Sequence, residues 1–128
     1  MYQISEDELM FFNEHFAALP LYEVFAKKLF ELYPETKMKV QKSQITYSNR
    51  HVYACVSFTK VRKKAELPPE YFVLTLGLSY PLESCRVAVK TEPYPGRWTT
   101  HIIVGNTDEL DDELYSLVKE AYEFAKRK

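Results

Sequence analysis

The sequence has few of the residues that mark unusual protein classes. Its 128 residues include three glycines, two cysteines and seven prolines, which excludes collagen-like, disulfide-rich and low-complexity chains. The longest apolar runs span only a few residues, so no transmembrane helix is predicted. The amino-terminal residues lack the basic start and apolar stretch of a secretory signal. These absences predict one cytoplasmic domain over residues 1–128 that needs no cofactor to fold.

Signatures of common catalytic and metal sites are also missing. The three glycines are isolated, so there is no glycine-rich phosphate loop. His15, His51 and His101 stand alone, which excludes zinc sites of ordinary spacing. Cys55 and Cys85 have no histidine nearby at ligand spacing, and both are predicted to be buried free thiols. No metal site is predicted, and catalysis is the minority interpretation.

Acidic residues are absent from one whole segment. Residues 37–64 contain no Asp or Glu but eight bases, whereas the segments before and after them carry net charges of −5 and −4. The bases are Lys37, Lys39, Lys42, Arg50, Lys60, Arg62, Lys63 and Lys64. Because strand-forming residues are interleaved with the bases, the segment is typical of an interaction surface and not of a solvated tail.

Hydrophobic spacing predicts two helices at the amino-terminal end. Ser5 and Glu8 have the spacing of a capping box, and apolar residues three or four apart extend the first helix to about Ala18. Pro20 suits the first turn of a second helix, and Pro34 ends it.

Alternating apolar and polar residues then predict strands. They cover residues 37–47 with a slip near Ser43, and residues 52–58, 71–78, 85–90 and 97–104, with a loop at 60–70 and a turn at 91–96. A last helix follows Asn106, and its first turns place Asp108, Asp111 and Asp112 on one face. The fold class is α+β: an antiparallel sheet of about five or six strands, with two N-terminal helices and one C-terminal helix packed on one face.

Two stretches resemble a family without an assigned activity. They are LYEVFAKKLFELYP with the following KVQKSQITY, and GRWTTHIIVGNTDELDDELYSLVKEAYEFAKRK. The sequence is similar over residues 20–126 to an uncharacterised bacterial domain family, loosely labelled predicted transport proteins and also found appended to restriction-type nucleases. The resemblance implies an α+β fold and points to Lys42, Tyr47, Arg97 and His101 as motif positions. It implies no reaction.

The strand alternation predicts a basic surface on the sheet face away from the helices. That face is expected to hold Lys39, Gln41, His51, Tyr53, Ser57, Tyr71, Thr75, Arg86, Lys90, Arg97, Thr99 and His101, with no carboxylate. Bases attract phosphate oxygens, and exposed aromatic rings stack unpaired nucleotide bases. The competing interpretation is an ordinary solvated face whose edge lysines block aggregation.

The residues predicted to bind a ligand are Lys42, Tyr47, Arg50, Tyr53, Arg62, Lys63, Arg97 and His101. The expected partner is nucleic acid first and a phosphorylated small molecule second, with no membrane contact. One alternative is a protein-interaction or self-association module, in which this surface meets residues 108–113 of a second copy in a homodimer. Another is an enzyme whose cleft joins Lys42, Tyr47, Arg97 and His101.

Overall fold

The computed structural model describes residues 2–59 and 67–127. Its helices are α1 (Glu6–Phe11), α2 (Leu19–Leu32) and α3 (Asp112–Arg127). Its strands are β1 (Lys37–Val40), β2 (Gln44–Ser48), β3 (Val52–Ser57), β4 (Phe72–Leu78), β5 (Val87–Tyr94) and β6 (Arg97–Val104). No helix in this part of the chain is long and apolar enough to cross a membrane.

The six strands form one antiparallel sheet in the order β1-β2-β3-β4-β6-β5. Phe25 of α2 connects the layers, because its ring contacts Tyr47 of β2, Phe72 of β4 and Tyr115 of α3. One buried apolar core joins the sheet and the helices. The prediction of an antiparallel sheet with two N-terminal helices and one C-terminal helix is therefore confirmed.

The first helix is shorter than its apolar spacing predicts. The capping box at Ser5 and Glu8 forms as expected, but α1 ends at Phe11, and a 3-10 turn at Phe16–Ala18 leads into α2. The corner between them buries Phe12 and stacks His15 on Phe58, with 3.7 Å between ring centroids. The tertiary contacts of Phe12 and His15 thus stabilise this corner in place of a continuous helix.

A β-bulge in β3 reverses the direction of one side chain. Tyr47 pairs with Ala54 and Ser48 pairs with Val52, so Tyr53 is the extra residue on its strand. A bulge breaks the alternation of side chains between faces. Tyr53 is therefore buried, and its ring packs edge-on against Tyr122 of α3. The prediction that Tyr53 lies on the face away from the helices is wrong.

The hairpin between β5 and β6 is tighter than the predicted turn at 91–96. Only Pro95 and Gly96 separate the two strands. Gly96 has a φ of +74°, the left-handed value that favours glycine in the second central position of a turn. The strands consequently extend through most of the predicted turn.

Gly105, which follows β6, is required by a close approach of the chain. A Cβ atom built there would lie 2.6 Å from the Pro68 side chain, a distance that forces one of the two segments to move. Gly105→Ala is expected to lower the free energy of unfolding by about 1–3 kcal/mol, measured by urea denaturation. Asn106→Ala is the control, because the Asn106 side chain makes no capping hydrogen bond; equal stability of the two variants would contradict the steric argument.

Candidate functional site

Four bases of the acid-free segment follow one edge of the sheet. Lys37 and Lys39 belong to β1, the outermost strand, Lys42 lies in the turn after it, and Arg50 lies in the turn between β2 and β3. Lys37 pairs with Ser48, so Arg50 is at the Lys37 end of β1 and Lys42 is at the other end. The Cα atoms of Lys37 and Val40, at the two ends of β1, are about 10 Å apart by the strand rise. We call these four residues the basic edge.

The two strand lysines point to the face that the helices leave open. Met38 and Val40, which alternate with them, pack against the buried core on the helix side. Side chains alternate between the two faces along a strand, so Lys37 and Lys39 lie on the face opposite to Met38 and Val40. In the sheet, Lys39 pairs with Thr46 of β2. Lys37 and Lys39 are exposed. The edge therefore presents ammonium groups on one face and apolar side chains on the other.

The charges of the basic edge are not neutralised by ion pairs to described residues. The ion pairs in the described part of the chain join Arg86 to Asp111 and Glu113, and Lys90 to Glu83. Exposed ion pairs are weak in any case, but unpaired lysines at short spacing raise the local positive potential.

Arg86 and Lys90 do not belong to the open face, and their predicted place there is wrong. Arg86 contacts the start of α3, with 2.5 Å to the Asp111 carboxylate and 2.7 Å to that of Glu113. Lys90 pairs in the sheet with the buried Thr100, and its ammonium lies 2.6 Å from Glu83. The direction of both side chains follows from the register shifts in β5 and, for Arg86, from its ion pairs at the start of α3.

The acidic segment at 108–113 is organised differently from the prediction. Asp111 precedes α3 and accepts a hydrogen bond from the Leu114 amide, at 3.0 Å, so Asp108 and Asp111 lie outside the helix and the three carboxylates do not share a helix face. The pKa of Asp111 is lowered by this amide and then by Arg86. Among the described residues, no group of three His, Cys, Asp or Glu side chains could hold a metal ion. Asp111 and Glu113 are paired within the chain, which leaves less free charge for a second copy.

The two tyrosines predicted to bind a ligand are in the core. Tyr47 and Tyr53 are 0% and 1% exposed. The Tyr47 hydroxyl lies 2.7 Å from that of Tyr22, and the Tyr53 hydroxyl lies 2.7 Å from that of Thr36. Their predicted presence on an accessible surface is wrong. The basic edge consequently has no stacking platform from these rings.

His101 and Arg97 lie on the open face, but far from the basic edge. His101 is half-buried, and its Nδ1 is 2.8 Å from the Thr75 hydroxyl. Burial lowers the pKa of His101 below its usual value, which favours the neutral imidazole. Its strand lies four strand spacings from β1, about 19 Å. Arg97 is exposed at the far end of the same strand.

The proposed enzyme cleft is not formed by its four residues. Tyr47 faces the helices, His101 faces the other side of the sheet, and Lys42 and Arg97 occupy opposite ends of the sheet. Cys55, on the open face beside Thr75, has a pKa raised to about 11 by burial, so it is a thiol and not a nucleophilic thiolate at pH 7. Arg62 and Lys63 lie outside the described residues.

Two further predictions of surface position are wrong. His51 does not lie on the open face, because its Nδ1 is 3.1 Å from the Ala125 carbonyl near the end of α3. The side-chain amide of Asn49 donates a hydrogen bond to the Tyr122 backbone carbonyl, at 2.9 Å. The turn that carries Arg50 is therefore attached to α3. Cys85 is exposed and not buried.

Two grooves on the helix side of β1 were not predicted. The first has a volume of about 670 Å³ and is lined by Val40, Met10, Phe11 and Phe58, with Lys42, Asp7 and Glu14 also at its wall. The second has a volume of about 610 Å³ and is lined by Met38, Tyr2, Phe30 and Pro34. Each groove thus contains one apolar side chain of β1. The alternation of apolar Met38 and Val40 with Lys37 and Lys39 was the signal in the sequence that could have located the two grooves.

A buried carboxyl group was also missed, because the sequence identifies Glu8 only as part of a capping box. Glu8 is 0% exposed. It accepts hydrogen bonds from the hydroxyls of Tyr2, at 2.7 Å, and of Tyr22, and from the Ser5 amide at 2.9 Å. Through Tyr22 the carboxyl group is connected to Tyr47 of β2. This network connects α1 to α2 and to β2.

The family of the chain follows from comparison with known sequences. A family described as a domain of unknown function, DUF5655, matches residues 10–125. The chain belongs to this family. The match contains all six strands, the whole of α2 and α3 up to residue 125. It begins within α1, which extends the resemblance seen from residue 20 onward. No curated protein and no solved structure matches the chain.

Proposed function

We propose that this DUF5655 domain is a small binding module whose basic edge engages an anionic partner. The observation that carries the proposal is the group of bases at one edge of the sheet, with Lys37 and Lys39 in β1 and with Lys42 and Arg50 in the turns at either end of β2, without an ion pair to any described carboxylate. Cations spaced along an exposed edge attract an extended polyanion and release its counterions. The burial of Tyr47 and Tyr53 leaves charge, and not base stacking, as the source of affinity.

Two kinds of polyanion fit this surface and serve as probes. Nucleic acid is the partner that the sequence predicts first, and the alternative is a protein-interaction module, for which an acidic polypeptide is the probe. The two cysteines are free, as in proteins of a reducing compartment. We therefore infer a cytoplasmic place of action, and bacterial origin remains a prediction of the family resemblance.

Binding of oligothymidylate or polyglutamate is expected to weaken with salt in proportion to the charges neutralised. For single-stranded nucleic acid, the slope of log affinity against log salt is about −0.7 for each phosphate contact. K37Q/K39Q is expected to reduce the size of that slope by about 1.4. Fluorescence anisotropy between about 50 and 200 mM salt measures it.

The matched control for this experiment is K119Q/K126Q, which removes the same charge from α3. Both lysines are exposed, and α3 packs mainly on β3 and β4. An unchanged slope in this control supports the basic edge. Equal effects of the two double variants, or no binding of either polyanion at low salt, would overturn the proposal.

A further inference from the structure

The outer backbone edge of β1 has no strand beside it in the described sheet. The Gln41 amide donates to the Gln44 carbonyl at 2.8 Å. Hydrogen-bonded and non-bonded pairs alternate along an antiparallel ladder, so Lys39–Thr46 and Lys37–Ser48 are bonded pairs. The amide and carbonyl groups of Met38 and Val40 therefore point away from β2. Four backbone groups are positioned to receive another strand.

The side chains beside this edge have an alternating chemistry. Lys37 and Lys39 lie on the open face, whereas Met38 and Val40 lie on the helix face, each in the wall of its own groove. Alternate residues of a strand are about 6.6 Å apart, which is the spacing of Met38 and Val40. A strand paired with β1 would place every second side chain over these grooves and the others beside the lysines.

We propose that β1 binds an extended polypeptide in which apolar and acidic residues alternate, by addition of a seventh strand to the sheet. Main-chain hydrogen bonds to Met38 and Val40 provide the alignment, as in other cases of strand addition. The grooves accept the apolar side chains, and Lys37 and Lys39 pair with the acidic ones. This inference rests on the proposed function, because it assigns the partner of the same basic edge.

A polypeptide fits this edge better than a nucleic acid does. A nucleic acid strand has no peptide groups to pair with the free edge of β1, and Tyr47 and Tyr53, which were predicted to stack its bases, are buried. The apolar side chains in the walls of the two grooves, including Met10, which is 73% exposed, gain from contact with apolar side chains and not from contact with phosphates. Charge complementarity and backbone geometry therefore select the same occupant.

The probe is a fluorescein-labelled octapeptide that alternates Glu and Leu. Two matched peptides accompany it: one with Lys in place of Glu, and one with the Glu/Leu sequence N-methylated at alternate backbone nitrogens. We expect each change to weaken binding at least about tenfold, the first through charge and the second through loss of main-chain donors. K37Q/K39Q should weaken binding of the Glu/Leu peptide by about tenfold, and K119Q/K126Q should leave it unchanged.

Amide hydrogen exchange tests the geometry in the unaltered protein. On saturation with the Glu/Leu peptide, the amides of Met38 and Val40 should exchange at least about tenfold more slowly, because they become hydrogen-bonded. The amide of Lys39, already bonded to β2, should change little. This readout needs no substitution in the protein, so it does not depend on the folding of a variant.

The outcomes separate this inference from the proposed function. Binding of oligothymidylate alone would overturn strand addition and leave the basic edge as a nucleic-acid site. Peptide binding that is insensitive to N-methylation, with Met38 and Val40 unprotected, would also overturn strand addition, because charge alone would explain it. If oligothymidylate, polyglutamate and the Glu/Leu peptide all fail to bind at low salt, both proposals are overturned. Lys37 and Lys39 would then have the role of protecting an edge strand from aggregation.

Discussion

Glu8→Ala is expected to lower the free energy of unfolding by about 3 kcal/mol or more. The Glu8 carboxyl group accepts hydrogen bonds from Tyr2, Tyr22 and the Ser5 amide. Removing it leaves these donors in or near the core without their acceptor, and a hydrogen bond to a carboxylate contributes about 1.5–3 kcal/mol. The substitution also removes one half of the capping box that begins α1.

Urea denaturation of two other variants distinguishes this network from a general effect of charge. Asp7→Ala removes an exposed acid from the same helical turn, and its expected cost is about 0.5 kcal/mol through the helix dipole. Glu8→Gln keeps the volume and one acceptor oxygen, so its cost should lie between the two. A Glu8→Ala variant as stable as Asp7→Ala would show that the network adds nothing to stability.

Stability is expected to fall steeply as the pH rises above about 10. Burial is the main reason that the pKa values of Tyr22, Tyr47 and Tyr53 are raised in the folded protein. In the unfolded chain these phenols ionise near pH 10. Since the folded pKa lies above the unfolded one, this stability is fully present below pH 10 and is lost as the pH rises towards the folded values.

The expected slope follows from the number of protons involved. Each of these three tyrosines, if it stays protonated only in the folded state, costs about 1.4 kcal/mol per pH unit, or about 4 kcal/mol per unit together. Tyr2 and Tyr115, whose pKa values are also raised by burial, add to this slope. Domains of this kind have total stabilities of about 5–15 kcal/mol. We therefore expect unfolding within a few pH units above 10, measured by urea denaturation at a series of alkaline pH values.

Tyr53→Phe provides the internal test of this assignment. It removes one buried phenol, whose hydroxyl is bonded to Thr36, and should reduce the alkaline slope by about 1.4 kcal/mol per pH unit. Tyr94→Phe is the control, because Tyr94 is 67% exposed, and it should leave the slope as it is. If both variants keep the slope of the parent protein, buried tyrosines are not the cause of the alkaline transition.

The local signals in the sequence were sufficient for the fold class and for most of the elements. Alternation in residues 71–78 and 97–104 corresponds to β4 and β6, and the proline positions correspond to the limits of α2. The capping box at Ser5 is present as predicted. These features depend on neighbours in the chain, which is why a single sequence predicts them.

The candidate site was only partly predictable. The absence of acids from residues 37–64 located the basic edge, including Lys42 and Arg50. It could not indicate that Tyr53 turns inward, because the bulge arises from the register between β2 and β3. It also could not indicate that Arg86 forms ion pairs with Asp111 and Glu113 at the start of α3, since these residues are far from Arg86 in the chain.

The sequence by itself determined the α+β class and the acid-free segment, because composition and short-range periodicity carry both, and similarity to known sequences determined the DUF5655 membership. Only the tertiary structure decided which bases stay unpaired and which aromatic rings are accessible. Strand order places β1 at the edge, with its lysines on the open face and Met38 and Val40 beside grooves on the other. Burial and pairing depend on contacts between distant segments, and local pattern does not record those contacts.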